Sequence, residues 1–264
     1  MFLSCTKEAM VKLPETKPLP VMYSYICPAD SVIRLKLMSS SPLFTSNQID
    51  VLAPVSNGDV KISSAQGTAQ LIFNQNTGYY ELKTNSYPIV PGQAYKMTVT
   101  TINGDVATAE TQVPFTAVPI NTVTVEAITE NHQTSDRIKV SFTDELGRVN
   151  YYRIAALYGF VHTSQTDTIA YDTRIMELYS DMNHDGESVS VAGRFHPRND
   201  STEYYDVFLY NCSESYYNFY KSPRNESGIS FPPPAEPTLM YSNVKGGFGC
   251  FGAYVYSRAR YKKK

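Results

Sequence analysis

The chain has 264 residues, 42% of them hydrophobic and 18% charged, with a formal net charge of -2. That balance excludes a disordered polymer, and no run approaches the roughly 18 consecutive apolar residues of a membrane-spanning helix. It also gives no electrostatic footprint for nucleic acid, because the one basic run, Arg258 to Lys264, reads as a solvated tail.

The chain opens Met1-Phe2-Leu3-Ser4-Cys5-Thr6-Lys7-Glu8. A cysteine after a short apolar and small stretch is where a bacterial lipoprotein is cut and acylated, although Phe2 stands where such motifs usually place Leu. Only four residues precede Cys5, against the roughly 15–30 of a signal peptide. The start is therefore expected to lie inside a longer precursor, with Cys5 carrying the lipid. Residues 6 to 20 hold Pro14, Pro18, Pro20 and five charges without any strand or helix period, as an extended tether would.

From Val21 the dominant period is two. Ile33, Leu35 and Leu37 alternate with Arg34 and Lys36, and Tyr95, Met97 and Val99 alternate with Lys96 and Thr98. Turn signals separate these runs at Asn57-Gly58-Asp59, Thr77-Gly78, Pro91-Gly92 and Asn103-Gly104-Asp105. Residues 21–118 thus read as an immunoglobulin-like sandwich of about seven strands, without the Cys-Trp-Cys signature. Pro114 and Pro119 break the rhythm, and the predicted domain boundary falls there.

Residues 119–264 are expected to form a second antiparallel β domain, sandwich or barrel, with strands around 123–125, 138–142, 151–161, 188–196, 203–212 and 249–257. One short helix near 213–222 is expected, capped by Ser213, ended by Pro223, and carrying Tyr216, Phe219 and Tyr220 on one face. Phe231 to Pro237 reads as an extended crossing segment. The fold class is all-β.

Tyr151-Tyr152-Arg153-Ile154, Ser215 to Ser222, and above all Tyr241-Ser242-Asn243-Val244-Lys245-Gly246-Gly247-Phe248-Gly249-Cys250-Phe251-Gly252 resemble the closing half of a Bacteroidota outer-membrane lipoprotein family catalogued as a domain of unknown function. Gly78-Tyr79-Tyr80 and Pro91-Gly92-Gln93-Ala94-Tyr95 extend the resemblance into the first half. It implies a surface lipoprotein encoded beside a TonB-dependent receptor and acting in uptake. Lys7-Glu8 is similar to the signal that sends such proteins to the outer face. The family supplies no catalytic or ligand residues to carry over.

Chemistry is otherwise sparse. Asp181, Asn183 and Asp185 alternate before Gly186 like the opening of a calcium loop, but the twelfth position is Ala192, so a metal-free polar turn is expected and no cofactor is assigned. The four histidines have no zinc spacing, and no nucleophile elbow or phosphate loop is present, so no catalytic residue is named and no enzyme is expected. Setting Cys5 aside, Cys27, Cys212 and Cys250 allow one bridge, for which Cys212 with Cys250 is the candidate. The glycines from Gly246 to Gly252 alternate with rings as in a bent strand rather than a nucleotide cradle.

With 21 Tyr, 12 Phe and no Trp, the ring content suits strand filling and a polar-tipped binding rim. Tyr216, Tyr217 and Tyr220 are the predicted contact surface. Two functions follow as expectations: a non-catalytic binding or accessory subunit of a TonB-dependent receptor, or a structural or adhesive cell-surface module without a transported ligand.

Overall fold

The structure, a computed structural model, describes residues 17–40, 54–130, 133–159, 173–182, 184–195, 204–222 and 240–263. Cys5, Asn183 and the segment 231–237 lie outside the described residues. Residues 20–112 form β1 (Pro20–Ile26), β2 (Val32–Ser39), β3 (Asp59–Ser64), β4 (Gly67–Asn74), β5 (Tyr79–Lys83), β6 (Ala94–Thr100) and β7 (Val106–Gln112). The period-two residues turn inward as their spacing predicts: Ile33, Leu35, Leu37, Tyr95, Met97 and Val99 are buried in one cluster.

Strand order is β1-β2-β5-β4 on one side and β3-β6-β7 on the other. This is the order of an immunoglobulin constant-type sandwich. β4 joins the two sheets, since Gly67 to Leu71 pair with β3 and Ile72 to Asn74 pair with β5. At the start of β6 the Tyr95 hydroxyl donates to the Pro88 carbonyl at 3.1 Å and accepts from the Val90 N–H at 2.7 Å. Such a tyrosine corner pins the connection across the sandwich end.

The rest of the chain forms β8 (Ile120–Glu130), β9 (Gln133–Thr143), β10 (Tyr151–Gly159), β11 (Thr173–Ser180), β12 (Ser188–Phe195), β13 (Tyr204–Cys212), α1 (Glu214–Lys221) and β14 (Phe248–Lys262). β12-β9-β8 is a separate antiparallel sheet, and β11-β10-β13-β14 continues the first. Between them lies a second core containing Ile138, Val140, Phe142, Tyr152, Ile154, Tyr205, Val207 and Leu209. Two buried carboxylates have cationic partners, Asp136 on the core side of β9 and Asp206 on the opposite face of β13, which alternates with the core residues Tyr205 and Val207. Asp206 is held by Arg258 at 2.6 Å and Arg260 at 2.7 Å, and Asp136 by the Tyr205 hydroxyl and Lys263.

The expectation of two self-contained domains needs correction. β14 runs parallel to β1, from Val21↔Phe248 to Ile26↔Ala253, and its second half pairs antiparallel with β13 from Cys212↔Tyr254 to Tyr204↔Lys262. Phe251, Ala253 and Val255, together with Val244, are buried in the first core. The last strand of the chain therefore completes the first sandwich. No boundary near residue 118 leaves both cores intact.

Candidate ligand-contact face

Strand register decides which side chains share a face. In β10, Tyr152 and Ile154 enter the second core, so Arg153 points to the opposite side. The same alternation puts Phe208 and Tyr210 of β13, Tyr254 and Tyr256 of β14, and Tyr23 and Tyr25 of β1 on that side, where each is half-buried. α1 lies across it. Ser213 caps the helix by accepting from the Tyr216 N–H at 3.3 Å, and Lys221 complements its last turn. Tyr25 packs edge-on to Tyr216 at 5.2 Å, and its ring lies 5.9 Å from that of Tyr220. Gly252 makes the close approach feasible, because a Cβ there would meet Tyr216 Cβ at 2.9 Å.

Arg153 is the cation at the centre of this face. Its guanidinium carbon lies 4.6 Å from the Tyr220 ring, 5.4 Å from Tyr210 and 5.9 Å from Tyr216. Each such contact contributes about 0.5–2 kcal/mol, more where water is excluded. One Nη1–H donates to the Tyr216 hydroxyl. Burial alone would lower the Arg153 pKa, but the surrounding tyrosine hydroxyls reverse the direction and raise it. The same burial pushes the Tyr210 and Tyr216 hydroxyls up, so they stay neutral donors at ordinary pH.

Beside α1 the face opens into a groove of about 300 Å³ lined by Tyr23, Tyr25, Asp30, Arg34, Lys36, Tyr79 and Tyr254. Lys36 lies 6.0 Å from the Tyr79 ring and Arg34 pairs with Glu81 at 3.1 Å. A larger cleft of about 480 Å³, of mixed polar and apolar lining, sits at the junction of the two cores, between Phe115, Arg148, Tyr151, Glu214 and Tyr241. Aromatic bodies beside charged and hydroxyl tips can bind a mixed ligand or a protein loop.

A family model described as Domain of unknown function (DUF4249) matches residues 6–260. The chain belongs to this family. No curated protein matches it. In this DUF4249 chain the Asn243 to Gly252 run is a latch. Lys245 exchanges backbone hydrogen bonds with Thr108 of β7 at 2.8 and 2.9 Å, and the Asn243 side chain bonds the Glu110 carbonyl and both backbone groups of Phe251. Gly249 has φ +115, and a Cβ there would stand 1.9 Å from the Met22 carbonyl oxygen. The motif is structural, as its alternation with rings suggests.

Other predicted site residues of the DUF4249 chain fall differently. Tyr216 and Tyr217 are 2% and 6% exposed, so they pack α1 onto the sheet and cannot form a contact surface. Only Tyr220 of the three is half-exposed; the accessible rings are instead Tyr23, Tyr25, Tyr254 and Tyr256. Cys212 and Cys250 are separate free thiols. Register sets Cys212 opposite Tyr254, four residues along β14 from Cys250, a separation of about 13 Å that no disulfide spans. Burial pushes the Cys250 thiol up to about 12 and Cys27 up to about 11, which keeps both protonated.

Asp181 and Asp185 do come together, with Asp144 as a third carboxylate within 4.8 Å. Each already accepts N–H bonds: Asp181 from the Asn150 backbone at 2.9 and 3.0 Å, Asp144 from Gly186 at 2.8 Å, and Asp185 from Gly147 at 2.8 Å. Burial raises the Asp181 carboxyl above its ordinary range; the Asn150 N–H opposes this and the Asp144 charge adds to it. Sequence reading missed Asp144, Asn150 and Arg153. For Arg153 a signal existed, a lone cation in an otherwise apolar and aromatic strand.

Proposed function

We propose that this chain is a lipid-anchored, non-catalytic binding or accessory subunit that contacts a TonB-dependent receptor at the outer membrane and serves nutrient uptake. The observation that carries the reading is the half-exposed tyrosine face with Lys36 and Arg34 at its margin, the residue mix of a binding rim rather than of a reactive centre. Family membership supports it through the resemblance of the closing motif to receptor-linked surface lipoproteins. Acylation at Cys5 supplies the anchor. β1 begins at Pro20 and Lys17 already pairs with Asp105, so 11 residues separate Cys5 from the body, a reach of at most about 36 Å at roughly 3.3 Å each. Holding both partners in one membrane raises their effective concentration, so a weak interface suffices.

The test is cross-linking and detergent pull-down of the tagged protein at native expression, with a Cys5→Ala precursor as the untethered arm. Recovery of a β-barrel receptor that falls in the Cys5→Ala arm is expected. Recovery of no barrel, with normal growth on every nutrient after deletion, would replace this reading with the structural or adhesive module.

A further inference from the structure

Arg153 is a half-buried guanidinium with incompletely satisfied donors. The other pairs show how this molecule treats charge: Asp206 is matched by Arg258 and Arg260, Asp136 by Lys263, Arg34 by Glu81, and Arg194 by Glu130. Arg153 forms no ion pair with any described carboxylate. The groups that act on it are the Tyr210, Tyr216 and Tyr220 hydroxyls and the Cys212 thiol. Ring contacts stabilise its charge, but the N–H bonds lie in the guanidinium plane and need acceptors at its edge. Tyr216 serves one Nη1–H. The buried Nε has no hydrogen-bond partner.

An orphaned Nε–H beside an Nη–H is the two-pronged edge that a carboxylate or phosphate occupies with two parallel hydrogen bonds. Register gives the site a rigid base, since Arg153 sits opposite Tyr210 in the β10–β13 ladder and Tyr210 is flanked by Tyr254 and Tyr256 at 5.3 and 5.8 Å. Tyr220, the nearest ring, is the half-exposed one, at the last turn of α1. We propose that Arg153 is the recognition residue for an oxyanion, a carboxylate or a phosphate, borne by a ligand that enters beside the half-exposed Tyr220. The proposal deepens the reading of this chain as a binding subunit and rests on it. It also separates from it, because receptor recovery in the pull-down requires no small anion.

The experiment follows the arginine Nε–Hε resonances of the ¹⁵N-labelled full chain while sodium acetate, or inorganic phosphate, replaces chloride at constant ionic strength. A saturable shift of one resonance, assigned to Arg153 by its loss in Arg153→Lys, is expected. A response confined to acetate identifies a carboxylate ligand and one confined to phosphate a phosphorylated ligand. Thermal stabilisation by the active anion should weaken at least about tenfold in Arg153→Lys, which keeps the charge but loses the fork. No saturable shift with either anion overturns the proposal, as does an equal stabilisation of the wild type and Arg153→Lys, which would mean an adventitious ion only.

Discussion

At the scale of single residues, Asp206 is a buried charge held by two arginines. Burial by itself raises the Asp206 carboxyl, but the Arg260 and Arg258 hydrogen bonds override it and hold the group below the ordinary carboxylate range. With a depressed folded-state pKa, the stabilisation is complete above the unfolded value of about 4 and is lost as pH falls through the folded one. Asp206→Asn should therefore cost about 1–2 kcal/mol near neutral pH, modest because both arginines reach solvent, and its denaturation curve should converge on the wild type's in acid. A gap that stays constant down to acid pH would show that the charge is irrelevant. Tyr95→Phe tests the corner. It strips the acceptor from the Val90 N–H, and urea melts should show a loss of about 1–3 kcal/mol with unchanged slope. Tyr95 was visible in the sequence only as one inward member of an alternating strand; its hydroxyl's reach back to residues 88 and 90 depends on a bend that no local pattern encodes.

At the scale of elements, what the sequence made legible was local. Ile33-Leu35-Leu37 and Ile138-Val140-Phe142 carry a period of two because one face meets core and the other water, and Ser213 announces α1 because its hydroxyl can cap it. β11 was missed because its apolar residues Ile175, Met176 and Leu178 fall on both faces of a strand and break a strict period of two. β14 was placed but its role was hidden, since pairing with β1 across the whole chain leaves no neighbouring signal. Its glycines can be tested directly. Gly249→Ala forces a Cβ into the Met22 carbonyl at a positive φ, and a loss of about 3 kcal/mol or more in thermal melts is expected, where Gly78→Ala, with nothing near its Cβ, should cost much less. The turn between β11 and β12 behaves as an internal network in which carboxylates bond backbone N–H groups. Asp181→Ala should destabilise by about 1–3 kcal/mol equally with calcium and with chelator. A calcium-dependent rise in melting temperature that disappears in this variant would instead make the three aspartates a metal site.

At the scale of the whole molecule, two cores share one strand. The tyrosine face belongs to that union: Tyr23, Tyr25 and Tyr79 come from the first half, and Tyr210, Tyr254, Tyr256 and α1 come from the second. Neither half alone could present it. Val244, Phe251 and Val255 are buried in the first core from the far end of the chain, and their burial is worth roughly 5–9 kcal/mol together, comparable with the whole stability of an ordinary domain. The central claim is thus that residues 17–118 form an incomplete sandwich until β14 enters beside β1. Circular dichroism and denaturant melts of a 17–118 fragment, with and without a peptide covering 241–263, test it most directly. The fragment alone should show no cooperative unfolding and should gain it on adding the peptide, with the Gly249→Ala peptide inactive. A 17–118 fragment that melts cooperatively by itself, unmoved by the peptide, would contradict the account.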